Sequence, residues 1–264
     1  MSTHGTTVLM YHRVGEARND WEARYSIGAE AFRAHMEALA QAGHNAVPID
    51  ALFASLDGGP KLPEGAFVLT FDDGFRGVRE HALPELEKRG WPFTVFLVSA
   101  LIGGMDVWTR ASNPDGRTYP LLGADEIKDM QRRGVSFHSH TRSHASLPTL
   151  DDHELERELV ESRAALESLL GNEVAYLAYP FGHLDERVVS ATCKAGYRAA
   201  FSTQPGFNRR NVDRYRIRRI DVYGTDSPAM LLRKMRFGTN DGRASMLLSY
   251  YAGRVRARLF MGGR

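Results

Sequence analysis

The sequence predicts a single α/β domain built around a parallel sheet. Apolar segments of strand length alternate with segments of helical periodicity along most of the chain, as in βαβ units. The 264 residues are enough for one substantial core, and 43% hydrophobic with 25% charged residues is an ordinary globular composition. No internal repeat or linker interrupts the alternation, so we expect one domain. Periodicity alone does not distinguish a barrel from an open doubly wound sheet.

The predicted strands are short, rich in β-branched and aromatic residues, and bounded by polar or glycine-containing segments. They are expected at residues 7–12, 45–49, 67–71, 92–99, from 134 onward, 174–178, 198–202 and 217–222. Segment 92–99 is strongly apolar and aromatic, which is typical of a buried strand. Residues 13–27 are polar and predicted to be irregular, and the 100–120 loop is long enough to contribute to a substrate rim.

The predicted helices carry apolar residues three or four positions apart. They are expected at residues 29–42, briefly after 49, at 78–88, 125–133, 150–169, 186–195 and around 228–235. In the first of them Phe32, Met36 and Leu39 share one face. The acids Asp151 and Asp152 precede the apolar pattern of the longest helix, so we interpret them as helix-start charges.

Two adjacent carboxylates follow one of the predicted buried strands. The apolar segment Phe67–Phe71 ends in Asp72, Asp73 and Gly74. Neighbouring residues on a strand point to opposite sides, but glycine permits a turn at the strand end that would bring both acids to one cleft. One carboxylate would then bind a metal and the other would act as a base. The alternative is an acidic turn or a helix N-cap.

A second predicted strand runs into a histidine-rich segment about seventy residues later. His138, His140 and His144 fall within residues 134–144. His140 and His144 can supply two imidazoles if the chain curls past the strand end. With one carboxylate they would make a three-ligand site that leaves a position for water, which suits a catalytic divalent metal. The alternative is a solvated loop, and we interpret His138 as a residue behind the site or at the surface.

Three segments resemble the motifs of the NodB-homology polysaccharide deacetylases. They are TFDDG at 70–74, SHTRSH at 139–144 and AYPFG at 178–182. The resemblance extends from about residue 6 to about residue 222. It implies a single-domain, deformed (β/α) barrel of about seven strands, with residues 1–230 forming the catalytic domain.

The same resemblance implies roles for individual residues. Asp73, His140 and His144 would hold a divalent metal, and Asp72 would be the general base. The backbone N–H of Phe181 would donate a hydrogen bond to the oxyanion. Zinc is the default metal, and nickel, cobalt or manganese would suit the same ligands.

The chain departs from the family pattern at two functional positions. Most relatives take the general acid from a C-terminal Leu-x-His motif, which is absent here. The Tyr-His pair that ends the first strand resembles a permuted arrangement, so we predict His12 as the acid. Ala178 stands where relatives carry the arginine that orients the base, and we predict that Arg219 replaces it beside Asp72. The family's fourth motif, with Asp and Trp, is also absent.

The implied activity is removal of an N-acetyl group from an amino sugar in a polysaccharide, an oligosaccharide or a lipid-linked saccharide. O-acetyl esters and formamides would suit the same site, because the attack by water is identical. The rival hypothesis is a saccharide-binding protein without turnover, favoured by the two departures and opposed by the intact acids and histidines. A phosphatase or nuclease would be expected to carry more carboxylates for a second metal.

The net charge of +2 conceals a basic C-terminus, because residues 231–264 carry +7 and the remainder −5. Apolar residues recur every four positions from Leu247 to Leu259, so 231–264 is predicted to be a basic amphipathic helical tail. Such a helix packs on protein or lies on an anionic membrane. With no leader-like N-terminus, we expect a cytoplasmic protein in peripheral contact with the inner membrane face. We expect no nucleic-acid partner, and we interpret the single cysteine, Cys193, as a packing residue.

Overall fold

The computed structural model describes residues 5–243 and residue 245. No helix in this part of the chain is long and apolar enough to cross a membrane. Most of the predicted tail, 231–264, lies outside the described residues. The amphipathic helix, its membrane contact and the division at residue 230 therefore stay predictions.

Ten strands are present among the described residues, and all recorded strand pairs are parallel. They are β1 (Thr7–Tyr11), β2 (Arg13–Val14), β3 (Ser26–Ile27), β4 (Asn45–Ala46), β5 (Ala66–Phe71), β6 (Thr94–Leu97), β7 (Ser136–Ser139), β8 (Tyr176–Ala178), β9 (Ala199–Phe201) and β10 (Ile220–Asp221). Seven lie side by side in the order β10, β1, β5, β6, β7, β8, β9, while β4 also pairs with β5. A separate pair, β2 and β3, lies within the segment 13–27 that was predicted to be irregular; that prediction was wrong.

The main sheet curls until its two ends approach each other. Phe201 of β9 pairs in parallel with Ile217, and Ile220 of β10 pairs with Leu9 of β1. The segment from Ile217 to Asp221 therefore contacts both ends of the row of strands. This confirms the predicted deformed barrel of about seven parallel strands and decides against the open sheet.

Seven α-helices connect the strands in the described part of the chain. They are α1 (Ala29–Gln41), α2 (Ile49–Leu56), α3 (Leu83–Glu87), α4 (Ala124–Arg132), α5 (Asp152–Leu170), α6 (Glu186–Lys194) and α7 (Pro228–Phe237). The predicted helix start at Asp151 is confirmed, because the Asp151 side chain accepts a hydrogen bond from the Glu154 amide. α3 is preceded by a π-helical turn, Val78–Ala82, within the predicted 78–88 helix.

Two apolar clusters fill the protein, one on each side of the curled sheet. The outer cluster joins strand residues such as Leu69 to the helices. The inner cluster joins the opposite strand positions to α2, where Phe53 stacks on Tyr176 with ring centroids 4.6 Å apart. Alternate strand residues thus face the barrel interior and the helices, as expected of a sheet buried on both faces. With α2 filling one end, the polar residues at the strand C-termini gather at the other.

Two sequence predictions are corrected by the structure. The strand expected at 45–49 ends at Ala46, because Pro48, which has no N–H, is the N-cap residue of α2. Cys193, predicted to pack inside the protein, is exposed on α6. Its helical position had been assigned correctly, but one helical residue does not reveal which face it occupies.

Candidate active site

The predicted site residues meet in one cleft at the C-terminal ends of the strands. The cleft has a volume of about 470 Å³. His12 follows β1, Asp72 and Asp73 follow β5, and His140 follows β7. Side chains that follow the parallel strands of a barrel converge at its C-terminal end, which is where barrel enzymes have their active sites.

The turn after β5 brings both aspartates to this cleft. Asp73 has φ 72° and Gly74 has φ 79°, so two consecutive residues adopt left-handed backbone. The conformation is costly for aspartate but not for glycine. A Cβ at Gly74 would also lie 2.6 Å from Leu97 Cδ2, so a larger residue there would require the Leu97 side chain to shift. Asp72 and Asp73 are both buried.

Asp73, His140 and His144 form the candidate metal site. Asp73 Oδ1 lies 3.4 Å from His140 Nε2 and 3.2 Å from His144 Nε2. One ligand atom from each residue lies within 4.8 Å of the others, and all three residues are buried. Asp73 Oδ1 has no hydrogen-bond partner. Burial alone would raise the pKa of Asp73, but the two imidazoles hold it well below its usual range. This buried N,N,O set with an unsatisfied carboxylate oxygen fits a divalent cation.

The two histidines are oriented by different contacts. His140 Nδ1 donates a hydrogen bond to the Ala178 carbonyl at 2.8 Å, so its Nε2 carries the lone pair that faces Asp73. His144 has a left-handed backbone, φ 66°, and its Nδ1 is buried without a hydrogen bond. Its ring lies parallel to Trp108, with centroids 4.4 Å apart and planes at 15°, while the edge-on ring of Phe181 lies 4.6 Å away.

Asp72 is held by a buried arginine. Arg219 Nη1 donates to Asp72 Oδ1 at 2.6 Å, and Arg219 Nε donates to the Ser202 carbonyl at 3.0 Å. The Asp72 and Arg219 side chains are 3% and 0% exposed. Burial would raise the pKa of Asp72, but the charge of Arg219, aided by His140 4.0 Å away, keeps it below its usual value. Asp72 is therefore an ionised carboxylate beside the candidate metal site.

His12 and Phe181 lie at the cleft as well. His12 is partly exposed, and its ring contacts Tyr25 edge-on at 5.4 Å. Phe181 has φ 59° and is 52% exposed directly after Pro180, in the turn that follows β8. Every residue predicted for the site thus lines the cleft, except Arg219, which lies beneath Asp72. His138 points into the barrel interior between Phe96 and Tyr176 and is not part of the metal site.

Sequence reasoning missed Asp221, which lines the same cleft. Its Oδ2 accepts hydrogen bonds from Tyr223 and Asn240, whereas its Oδ1 is buried and unpaired. Burial raises the pKa of Asp221, and nearby His12 opposes that shift. A signal was available, because residues 217, 219 and 221 alternate along the last strand and therefore face the same side.

One rim of the cleft is fastened by Glu22, which was also missed. Its carboxylate accepts hydrogen bonds from Asn113 at 3.0 Å, from the Tyr119 hydroxyl at 2.8 Å and from Arg13 at 3.3 Å. These bonds tie the 13–27 segment to the 100–120 loop, whose predicted place at a substrate rim agrees with its position here. In that loop burial raises the pKa of Asp106 to about 6.

Comparisons with known sequences identify relatives over most of the chain. The profile of the polysaccharide deacetylase family matches residues 59–200. The YxkH protein of Bacillus subtilis is 26% identical over 223 residues, which are 84% of this chain and 72% of YxkH. The poly-β-1,6-N-acetyl-D-glucosamine N-deacetylase of Staphylococcus epidermidis is 26% identical over 171 residues, 61% of this chain. The matched chain spans 56% of that enzyme's length.

Solved structures share the fold. The deacetylase PplD of Streptococcus pyogenes, in complex with acetate, superposes with a TM-score of 0.74 at 20% identity, covering 88% of this chain and 98% of PplD. IcaB from Ammonifex degensii superposes with a TM-score of 0.70 at 26% identity, covering 83% of this chain and 92% of IcaB. Because the family profile covers more than half of its length, the chain belongs to the polysaccharide deacetylase family.

Proposed function

We propose that this protein is a metal-dependent hydrolase that removes the N-acetyl group from an amino sugar within a saccharide. One observation carries the proposal: a buried N,N,O ligand set lies beside a separate carboxylate that a buried arginine keeps ionised. A site that only bound saccharide would not need a buried base next to metal ligands. Membership of the deacetylase family supports the same reaction.

A divalent metal held by Asp73, His140 and His144 would polarise the acetyl carbonyl and lower the pKa of water. Asp72 accepts the proton of the attacking water, since it is ionised and faces the same cleft. Arg219 keeps Asp72 in that state and fixes its orientation through the bond to Oδ1.

The remaining steps concern the carbonyl oxygen and the leaving nitrogen. The Phe181 backbone N–H donates a hydrogen bond to the carbonyl oxygen as it gains negative charge. His12 donates a proton to the amine nitrogen as the C–N bond breaks. Asp221, whose Oδ1 is buried without a hydrogen-bond partner, lines the same cleft as His12.

The proposed substrate is an N-acetylated saccharide, with β-1,6-linked N-acetylglucosamine oligomers as the first choice. The name of the Staphylococcus epidermidis relative supports this choice. Aromatic residues in the cleft, including Trp21, Tyr25 and Trp108, suit the apolar faces of pyranose rings. O-acetyl esters and formamides remain alternative substrates for the same residues.

Acetate and amine release from a panel of N-acetylated oligosaccharides, O-acetyl sugars and formamides tests the proposal. The wild type would be compared with Asp72→Asn, with the metal content measured for both. Asp125→Asn is the matched control, because it makes the same chemical change at an exposed residue of α4. We expect Asp72→Asn to abolish release while it retains metal, and Asp125→Asn to behave as wild type.

The outcomes separate the rival hypotheses. Metal binding without release from any member of the panel would favour the saccharide-binding protein. Failure of the wild type to bind a divalent metal under metal-replete conditions would refute the proposal. Acetate release from O-acetyl sugars alone would indicate that the protein is an esterase and not an amidase.

Cytoplasmic location and membrane contact through the 231–264 tail are proposals carried by the basic, periodically apolar sequence. Sedimentation with anionic liposomes would compare the full chain with a 1–240 variant. We expect only the full chain to sediment with the liposomes, and equal partitioning would contradict the tail's role.

A further inference from the structure

The two candidate ligand histidines differ in what fixes their rings. His140 is held by a hydrogen bond from Nδ1 to a carbonyl, the usual arrangement for a metal-binding imidazole. No described residue makes such a bond to His144 Nδ1, although that atom is buried. His144 also lies outside regular secondary structure, five residues beyond the end of β7, and has φ 66°. With no hydrogen bond at Nδ1, other contacts must keep the His144 ring oriented with its Nε2 toward Asp73.

Trp108 makes the contact that can do so. The indole and imidazole rings are nearly parallel, at 15°, with centroids 4.4 Å apart. Phe181 approaches the same imidazole edge-on, at an interplanar angle of 80°. Rotation of the His144 ring about its Cβ–Cγ bond would tilt it out of this stack and lose contact with the indole face.

We propose that Trp108 is a positioning residue for the metal centre, holding the His144 ring by stacking where His140 is held by a hydrogen bond. The inference rests on the proposed metal site. It assigns to the 100–120 loop a second task beyond lining the cleft, since the loop would contribute directly to metal affinity.

The loop that carries Trp108 is itself well anchored. Thr109 donates its hydroxyl to Asp106 Oδ2 at 2.9 Å, which closes the turn around Trp108. Asn113 and Tyr119 bond to the buried Glu22 on the opposite segment. The indole is thus attached to a braced turn, so it can impose an orientation on His144 rather than follow it.

Cobalt(II) binding by the metal-free protein tests this role. The dissociation constant and the visible absorption spectrum of the cobalt complex would be measured for wild type, Trp108→Ala and Trp108→Phe. Trp21→Ala is the matched control, because Trp21 lines the same cleft but stacks edge-on against Tyr25 and not on a ligand histidine. Thermal unfolding of each metal-free protein verifies that the variants fold.

We expect Trp108→Ala to weaken cobalt binding by about tenfold or more, the usual effect of removing a residue that orients a metal ligand. Its cobalt spectrum should shift, while Trp108→Phe keeps most of the affinity and Trp21→Ala keeps all of it. Unchanged affinity and spectrum in Trp108→Ala would overturn the inference, as would an equal loss in Trp21→Ala. Absence of cobalt binding by the wild type would instead refute the metal site and the proposed function.

Discussion

Replacing Arg219 by methionine should raise the pKa of Asp72 and make activity fail at a higher pH than in the wild type. The bond from Arg219 Nη1 to Asp72 Oδ1 is 2.6 Å long, and the two side chains are 0% and 3% exposed. Methionine fills part of the space without a charge. It would leave Asp72 as a buried carboxylate without its arginine partner, with the His140 imidazole 4.0 Å away.

The size of the effect follows from that burial. Removing one partner of a buried ion pair costs about 3–5 kcal/mol, because an uncompensated charge remains. At 1.36 kcal/mol per pKa unit, and with His140 and the metal retained, we expect the pKa of Asp72 to rise by about two units. The catalytic base must be ionised, so the ratio of variant to wild-type kcat/KM should fall as the pH is lowered from 8 to 5.

The assay is acetate release across that pH range for wild type, Arg219→Met and Arg219→Lys, each with its metal content and unfolding curve. Because lysine restores the positive charge, it should shift the acid limb of the pH–rate profile, where activity is lost at low pH, less than methionine does. Some shift should remain, because lysine cannot reproduce both the Asp72 and the Ser202 contacts. If both folded variants kept the wild-type acid limb, Arg219 would not set the ionisation of the base. Adding Asp72→Asn to Arg219→Met should recover part of the lost stability, since it removes the unpaired charge.

Three other perturbations test separate parts of the structure. Divalent metal at about 100 times its Kd should stabilise wild type and Asp72→Asn by about 2.7 kcal/mol in urea unfolding, and Asp73→Asn should abolish this stabilisation. Burial lowers the pKa of His138 from 6.5 to about 4, so below pH 6.5 the unfolded chain takes up a proton that the folded chain does not. Through this histidine the wild type should lose about 3 kcal/mol of unfolding free energy between pH 6.5 and pH 4. His138→Gln should not show this loss, and unfolding at both pH values would measure it. Lys234→Met should cost about 3–5 kcal/mol of unfolding free energy by stranding Asp226, its partner in an ion pair with both side chains 1% exposed, and adding Asp226→Asn should recover part of it.

The sequence was sufficient for features determined by local chemistry. A strand that ends in Asp-Asp-Gly must turn there, and the glycine permits the left-handed conformation that the structure has at Gly74. Two histidines four residues apart at another strand end reach the same edge, because parallel strands place their carboxyl ends together. The eight strands of the main sheet were predicted from the alternation of apolar segments, whereas the separate pair β2 and β3 was not. The closure of the sheet into a barrel could be predicted only from the family resemblance, because strands and helices alternate in the same way in barrels and in open sheets.

Features that depend on contacts between distant segments were not predictable from periodicity. Trp108 and His144 are 36 positions apart, and nothing in either segment indicates that their rings stack. The bonds from Asn113 and Tyr119 to Glu22 join residues more than 90 positions apart. Loop conformation is set by such pairings rather than by its own sequence, so the assignment of 100–120 as a rim could not specify which side chains enter the cleft.

Backbone conformation gives an independent reason to regard this cleft as functional. Among the described residues, the non-glycine residues with positive φ are Asp73, Thr141, His144 and Phe181. Three of them carry proposed roles, and Thr141 lies between the two ligand histidines. Left-handed backbone at a non-glycine residue costs of order 1–3 kcal/mol, and glycine at any of these positions would relieve it. Glycine could replace none of the side chains that are proposed to bind metal, however, and at His144 it would remove the ring that stacks on Trp108. The strain is therefore concentrated at residues where a particular side chain and a turn are both needed. The sequence shows the aspartates and histidines of the site but does not show which of them have strained backbone.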